Sequence, residues 1–420
     1  MGVAGASRTG DGLRGCPGFG AFWAASTVSA FGTYVTAVAI QVLVVETLDG
    51  SGLQLGLVSA ARWLPYLLFG LVAGVFVERT RRRPVLVTTD VLRGVLLVAI
   101  PALALVDRLS LAVLVAFMVL FGAASLANDA ASQAFLPRLV PPRLLTRANA
   151  RLDQSDAVAQ TSGPALAGAL VSLLTAPWAV LVDAVSYLAS GLLLLRVPVT
   201  EPPSRRLSLR GVGGEAAEGL RWLYRHRTLG PYVLSTHGWF VVNAVGNVTV
   251  PLFALRAIDL SPFGYGLALA AAGTGGLLGA LSAPALGHRY GAGRVVIASH
   301  LGNGLAFATM AASGAGWGGW IVFGAGQFLL GTTMGTSNSN EMGYLQSVTP
   351  DHLQGRSNAT RRSANRAMIV VGAPLGGVLA DAVGYRVMLV AVAAGFAVVS
   401  AVLALSPFRH ARLDDTAAAG

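Results

Sequence analysis

Pro141 to Gly168 reads PPRLLTRANARLDQSDAVAQTSGPALAG, and Pro350 to Gly377 reads PDHLQGRSNATRRSANRAMIVVGAPLGG. Pro141, Leu144, Arg147, Asn149, Ala150, Gly163, Leu166 and Gly168 recur as Pro350, Leu353, Arg356, Asn358, Ala359, Gly372, Leu375 and Gly377, at one offset and without a gap. Outward from this stretch, Gly122 and Leu136 recur as Gly331 and Leu345. Gly56, Leu57 and Arg79 recur as Gly266, Leu267 and Arg289, one step further on. Self-similarity over so long a period marks a duplicated structural unit. The chain is therefore read as two halves of one ancestry.

The medium around those halves follows from composition. Of 420 residues, 54% are hydrophobic and 12% charged, with a mean hydropathy of +0.64, whereas soluble domains carry about 25% charged residues. A water-soluble fold is excluded. Apolar runs long enough to cross a bilayer predict spans near 20–46, 53–77, 85–106, 110–131, 148–173 and 177–196 in the first half. The second half gives 231–255, 262–287, 294–313, 317–337, 364–384 and 386–406. The expected fold is an all-α integral membrane protein, with twelve transmembrane helices in two pseudo-symmetric six-helix halves. Both halves begin on the same side, so an axis along the membrane normal should relate them. The expected boundaries are a tail over 1–18, a half over 19–198, a linker over 199–228, a half over 229–408 and a tail over 409–420. In the linker, Leu220, Trp222, Leu223 and Tyr224 interleave with Arg and Glu, which predicts an interfacial amphipathic helix or a tether.

The net charge of +11 and pI near 10.7 raise nucleic acid as a partner, but the positions of the charges decide against it. Arg8, Arg14, Arg79, Arg81, Arg82, Arg83, Arg138, Arg143, Arg147, Arg205, Arg206, Arg210, Arg289, Arg294, Arg356, Arg361, Arg362, Arg409 and Arg412 fall on the side of the termini, and only Arg108, Arg256 and Arg386 oppose them. Alternation in step with apolar spans is the signature of loops retained in the cytoplasm, so both termini are expected there. All 30 cations are Arg, which removes the phosphate-binding Lys of an ATP-driven motor. Cys16 has no partner for an internal disulfide, and the leader around it lacks the apolar stretch of a signal peptide. The His residues are scattered, no metal spacing appears and there is no nucleophile elbow. No enzyme, cofactor or metal is expected.

Gly74 to Arg83 reads GVFVERTRRR, a loop between the second and third spans with Glu78 and Arg81 at two of its key positions. Together with Phe135-Leu-Pro-Arg-Leu-Val-Pro141, Arg147-Ala-Asn-Ala150 and Gly163-Pro164-Ala-Leu-Ala-Gly168, it resembles the major facilitator superfamily, in particular its macrolide-efflux and enterobactin-exporter-like branch. The likeness covers nearly the whole chain. It departs from the family at Thr33 and Tyr34, where an acid is common in the first helix, and at Ala167, where the fifth-helix motif of antiporters has Gly. The resemblance implies secondary active transport by alternating access. It also implies that Gly163, Pro164 and Gly168, with Gly372, Pro374, Gly376 and Gly377, form a helix-packing surface that slides between the halves; static packing is the plainer alternative.

Other candidates come from charge placement. Glu78, Arg79, Arg82 and Asp129 lie at the cytoplasmic mouth, where opposite charges can latch one conformation. Arg62 lies well inside the second span, where a guanidinium is costly unless paired or hydrated, and is expected to face a central cavity; snorkelling or bonding to carbonyls is the alternative. Asp183 is at similar depth; the resemblance, which places an acid there, implies a fixed structural bond, with a share in coupling as the other reading. Asp90 and Arg93, three apart, can pair. Asp153, Asp156 and Gln160 follow a helical spacing that puts Asp156 almost under Gly163. Facing Arg362 or Arg366 of the other half, Asp156 can close an inner gate or carry a proton; solvated helix ends are the alternative. Trp63, Gln160, Asn243, Asn247 and Gln327, with Trp239 and Phe240, can line a cavity for an amphipathic ligand or bond helix to helix.

The expected function is proton-coupled export of a small organic compound, such as a drug, an antibiotic or a secreted metabolite, by a monomer in a bacterial cytoplasmic membrane. A facilitator or importer of a small nutrient in the same fold is the alternative, as is a scaffold or sensor that no longer transports.

Overall fold

The computed structural model describes residues 12–78, 80–199 and 221–415. Among them are twelve helices of 20 residues or more and no strand. These are α1 (Phe19–Val42), α2 (Gly52–Glu78), α3 (Arg82–Leu105), α4 (Leu111–Leu139), α5 (Leu145–Leu174) and α6 (Ala176–Leu195). The second half holds α7 (Leu229–Leu252), α8 (Pro262–Tyr290), α9 (Ala292–Ala312), α10 (Trp317–Val348), α11 (Asp351–Val383) and α12 (Tyr385–Leu405). Among the described residues, ten helices are long and apolar enough to cross a membrane. α10 is outside that set; it is rich in Thr, Ser and Asn from Thr332 to Asn340, residues that need polar surroundings.

Three predicted ends are corrected. The 317–337 span continues to Val348, the 364–384 span starts at Asp351, and the 110–131 span runs to Leu139. Hydropathy marks where a helix leaves an apolar medium, whereas the i→i−4 ladder continues as long as its backbone groups find partners. Of the predicted linker helix, 221–225 is helical and 200–220 lies outside the described residues, as do Arg79 and the terminal residues 1–11 and 416–420.

The duplication is visible in the packing. α1 lies against α5 and α6, α3 against α4 and α6, and α2 against α4; α7 lies against α11 and α12, α9 against α10 and α12, and α8 against α10. Each of α1 and α7 ends in a π-helical turn, Leu43–Thr47 and Phe253–Ala257, followed by an Asp with positive φ, Asp49 and Asp259. Across the two halves the main crossings are α2 with α11 and α5 with α8.

Buried charge is paired inside the first half. Arg93 is bonded to Asp90, as their spacing predicts, and lies 4.1 Å from the Tyr187 ring centre. Asp90 also accepts from Asn128 at 3.0 Å and Ser190 at 2.6 Å. Asp183 is fully buried and accepts from Ser186 at 2.8 Å. Its carboxylate occupies the space that a side chain at Gly32 would fill.

Candidate functional site

Between the halves lies a cavity of about 610 Å³, bounded by α1 and α5 on one side and by α7 to α11 on the other. Helix alternation puts the segments entering α1 and leaving α12 on one face, here the terminal face; the opposite face is distal. On the distal side the cavity is closed. The Tyr265 hydroxyl donates to Gln41 Oε1 at 2.8 Å across the halves, and Arg256 donates to the Val45 carbonyl and to Asp49, both at 2.7 Å. Asp381 of α11 accepts from the first amides of α2, Gly52 at 2.9 Å and Leu53 at 3.1 Å. A carboxylate there satisfies amides that have no partner within their own helix.

Glycine makes these crossings possible. A methyl group at Gly266 would come within 2.3 Å of the Pro164 carbonyl, one at Gly56 within 2.4 Å of the Ala373 carbonyl, and one at Gly377 within 2.0 Å of the Gly52 carbonyl. Toward the terminal face the lining changes character. Gln160, Asn338 and Ser339 are on the cavity wall yet exposed, and Asp156 nearby is exposed as well. The cavity therefore opens to the terminal face.

Gln160, Asn247 and Gln327 are on the wall. Asn243 is not; it is buried behind Asn247 and accepts its amide at 2.7 Å. Arg62 and Trp63 are also off this wall. Arg62 is half-buried within the first half, 5.6 Å from the Phe121 ring centre and 5.8 Å from that of Trp63, where aromatic faces attract its charge.

The expected pairing of Asp156 with Arg362 or Arg366 belongs to a closed inner gate, and in this terminal-open conformation the groups are apart. Asp156 does share a face with Gly163, but that face meets α1: Gly163 lies against Tyr34, and Tyr34 stands beside Asp156. Arg366 instead stacks on Trp63 of α2, 3.9 Å from the ring centre, and Arg362 and Asp153 are exposed. α5 and α11 are equivalent by the repeat, so they occupy diagonal corners, and each crosses a different helix of the other half.

The same symmetry divides the glycine motif. Gly168 with Pro164, and Gly377 with Pro374, meet the other half; Gly163, Gly372 and Gly376 meet Tyr34, Ala244 and Val245 of their own halves. At the mouth, Asp129 accepts from the Tyr66 hydroxyl at 2.6 Å, and Arg82 is buried at the start of α3. Arg79 and the Glu78 side chain lie outside the described residues.

Sequence reasoning missed a cluster at the terminal end of the cavity. Glu341 accepts from Tyr232 at 2.6 Å and from Ser337 at 2.5 Å, and His300 Nε2 lies 3.5 Å from its Oε1. Glu341 fell beyond the predicted end of its span, and no spacing links it to His300. Helical periodicity continued through the Ser-Asn run was the one signal that pointed to it.

A family description, transmembrane secretion effector, matches residues 16–419. The multidrug efflux pump Tap of Mycolicibacterium fortuitum is 28% identical over 377 residues, covering 86% of this chain and 88% of that protein. An uncharacterised transporter of the same superfamily, YvqJ of Bacillus subtilis, is 26% identical over 250 residues; there the match spans 58% of this chain and 59% of the relative. Among solved structures, the nucleoside transporter NupG superposes with a TM-score of 0.75 at 12% identity, covering 92% of this chain and 98% of that one. A bacterial homologue of the iron transporter ferroportin, in its inward-facing state, gives 0.72 at 17% identity, covering 92% and 97%. Family and relatives are transporters, not enzymes. With two packed helical halves around one cavity and a family match over almost its whole length, this chain belongs to the transmembrane secretion effector family of the major facilitator superfamily of membrane transporters.

Proposed function

We propose that this chain is a proton-coupled exporter of a small organic compound, working as a monomer by alternating access between halves 19–198 and 229–408. In this reading all twelve helices cross a bacterial cytoplasmic membrane and both termini are cytoplasmic, as the Arg asymmetry favours. The observation that carries it is the cavity between the halves, closed at the distal face and open at the terminal one. That is the loading state of an exporter if the terminal face is cytoplasmic. The Tap relatives add support for export over import.

Asp156, beside Tyr34 at the cavity's edge, is the acid of the first half assigned to coupling, and Asp129 with Glu78, Arg79 and Arg82 to the latch at the mouth. The test is flux in inverted membrane vesicles with a panel of cationic, neutral and anionic compounds. Accumulation driven by an acid interior and abolished by a protonophore is expected. Accumulation by right-side-out vesicles instead would make the protein an importer, and no flux of any compound would leave a scaffold or sensor. Asp156→Asn is expected to lose gradient-driven efflux while keeping counterflow without a gradient; wild-type behaviour in both assays removes Asp156 from the mechanism.

A further inference from the structure

Among the described residues that line the cavity, Glu341 is the one carboxylate. It lies on α10 seven residues before Val348, about 10 Å in from that helix end at 1.5 Å per residue. The two hydroxyls of Tyr232 and Ser337 donate to it, one per oxygen, and the His300 ring faces the Ser337 side. A carboxylate offers about four acceptor positions, of which these two hydroxyls fill two. Capacity is therefore left for a ligand. Nearby on the wall stand Trp239 and Phe240, edge to face with ring centres 5.0 Å apart, and Phe307. A carboxylate held in a half-dry pocket beside aromatic faces is the chemistry that recognises an organic cation.

The surrounding charges fit that assignment. His300 is 2% exposed, with its Nε2 toward Glu341 and its Nδ1 buried without a hydrogen-bond partner. From α7, His237 is held by Asn365 at 3.0 Å and by Tyr224 at 2.5 Å. From α11, Arg361 lies on the cavity wall but is bonded to Asn358 at 3.3 Å and forms no ion pair with Glu341. Neutral His300 thus leaves the cluster of Glu341, Tyr232 and Ser337 with one net negative charge. Protonation at Nδ1 cancels that charge and creates a buried N–H that has no acceptor.

We propose that Glu341 and His300 form a cation subsite, in which the carboxylate takes the protonated amine or onium group of an amphipathic compound while His300 is neutral, and a proton on His300 expels it. One negative charge then serves two mutually exclusive cations, which is an exchange of proton for substrate. The inference rests on the cavity being the site of the transported compound, and it names the class of that compound.

The test uses the purified full-length chain, with tetraphenylphosphonium as the probe and triphenylphosphine oxide as a neutral counterpart of similar shape. Glu341→Gln is expected to weaken phosphonium binding about tenfold or more and to leave the neutral compound's affinity unchanged. In the wild type, phosphonium affinity should fall severalfold from about pH 7.5 to about pH 5.5, and His300→Gln should abolish that fall. Equal phosphonium affinity in wild type and Glu341→Gln, with unchanged thermal unfolding, overturns the subsite. An unchanged pH dependence in His300→Gln overturns the exchange. Vesicle flux of neutral compounds without phosphonium binding leaves export standing and removes the subsite; Glu341-dependent binding without any flux does the reverse.

Discussion

Arg93, 6% exposed, shows what a membrane-embedded charge requires. Its guanidinium meets Asp90 and the face of Tyr187, and Asp90 is further held by Asn128 and Ser190. Removing one partner of a buried pair leaves the other charge uncompensated, at a cost of about 3–5 kcal/mol. Arg93→Ala is therefore expected to lower the thermal unfolding midpoint in detergent well below wild type, and Asp90→Asn with Arg93→Ala together to recover part of the loss. A midpoint for Arg93→Ala equal to wild type contradicts the pairing. This pair was legible because both partners stand on one turn of one helix. Glu341 and His300 were not, since they stand on different helices and nothing in the chain says that α9 and α10 bring them together.

At the scale of elements, the duplication exposes one strained joint. The turn from α11 to α12 passes through Gly384 at φ +89° and ψ 147°, and the equivalent turn from α5 to α6 passes through Thr175 at φ +73° and ψ 161°. Only glycine enters that region freely, and a β-branched residue there carries a strain of about 1–3 kcal/mol. Thr175→Gly is expected to stabilise the first half by about 1 kcal/mol, after the loss of backbone entropy that glycine brings, read as a higher unfolding midpoint. A lower midpoint would show that the Thr175 side chain contributes more than the strain it bears. The repeat itself was plain in the sequence, whereas which glycines of the motif face the other half was not. Gly163 and Gly168 read alike as small residues, and only the neighbours Tyr34 and Pro262 tell them apart.

For the whole molecule, the distal closure rests on contacts that must break for the cavity to open there. Asp381 capping α2 is the polar one most easily removed without disturbing the cavity. Loss of a helix cap costs about 1 kcal/mol, close to a fivefold shift in a two-state equilibrium. Asp381→Ala is expected to move the population toward distal-open by about that factor. In a Cys16→Ala background carrying Asn247→Cys, this reads as faster labelling from the distal side by an impermeant thiol reagent. Unchanged labelling would mean that the glycine crossings and the Tyr265 and Arg256 bonds hold the face shut without Asp381.

The sequence by itself determined the medium, the positions of the spans and the duplication, because hydropathy and periodicity are local properties that each segment carries wherever it packs. It also fixed the charge asymmetry between the two faces. Tertiary structure alone decided who meets whom: α5 with α8 and α2 with α11, Arg366 on Trp63 rather than near Asp156, Arg62 in the first half, and Glu341 beside His300. An apolar helix has no signal for its partner beyond shape, since lipid and protein are equally apolar around it. Close approach at glycine and buried polar bonds between helices then choose among packings that hydropathy leaves equivalent.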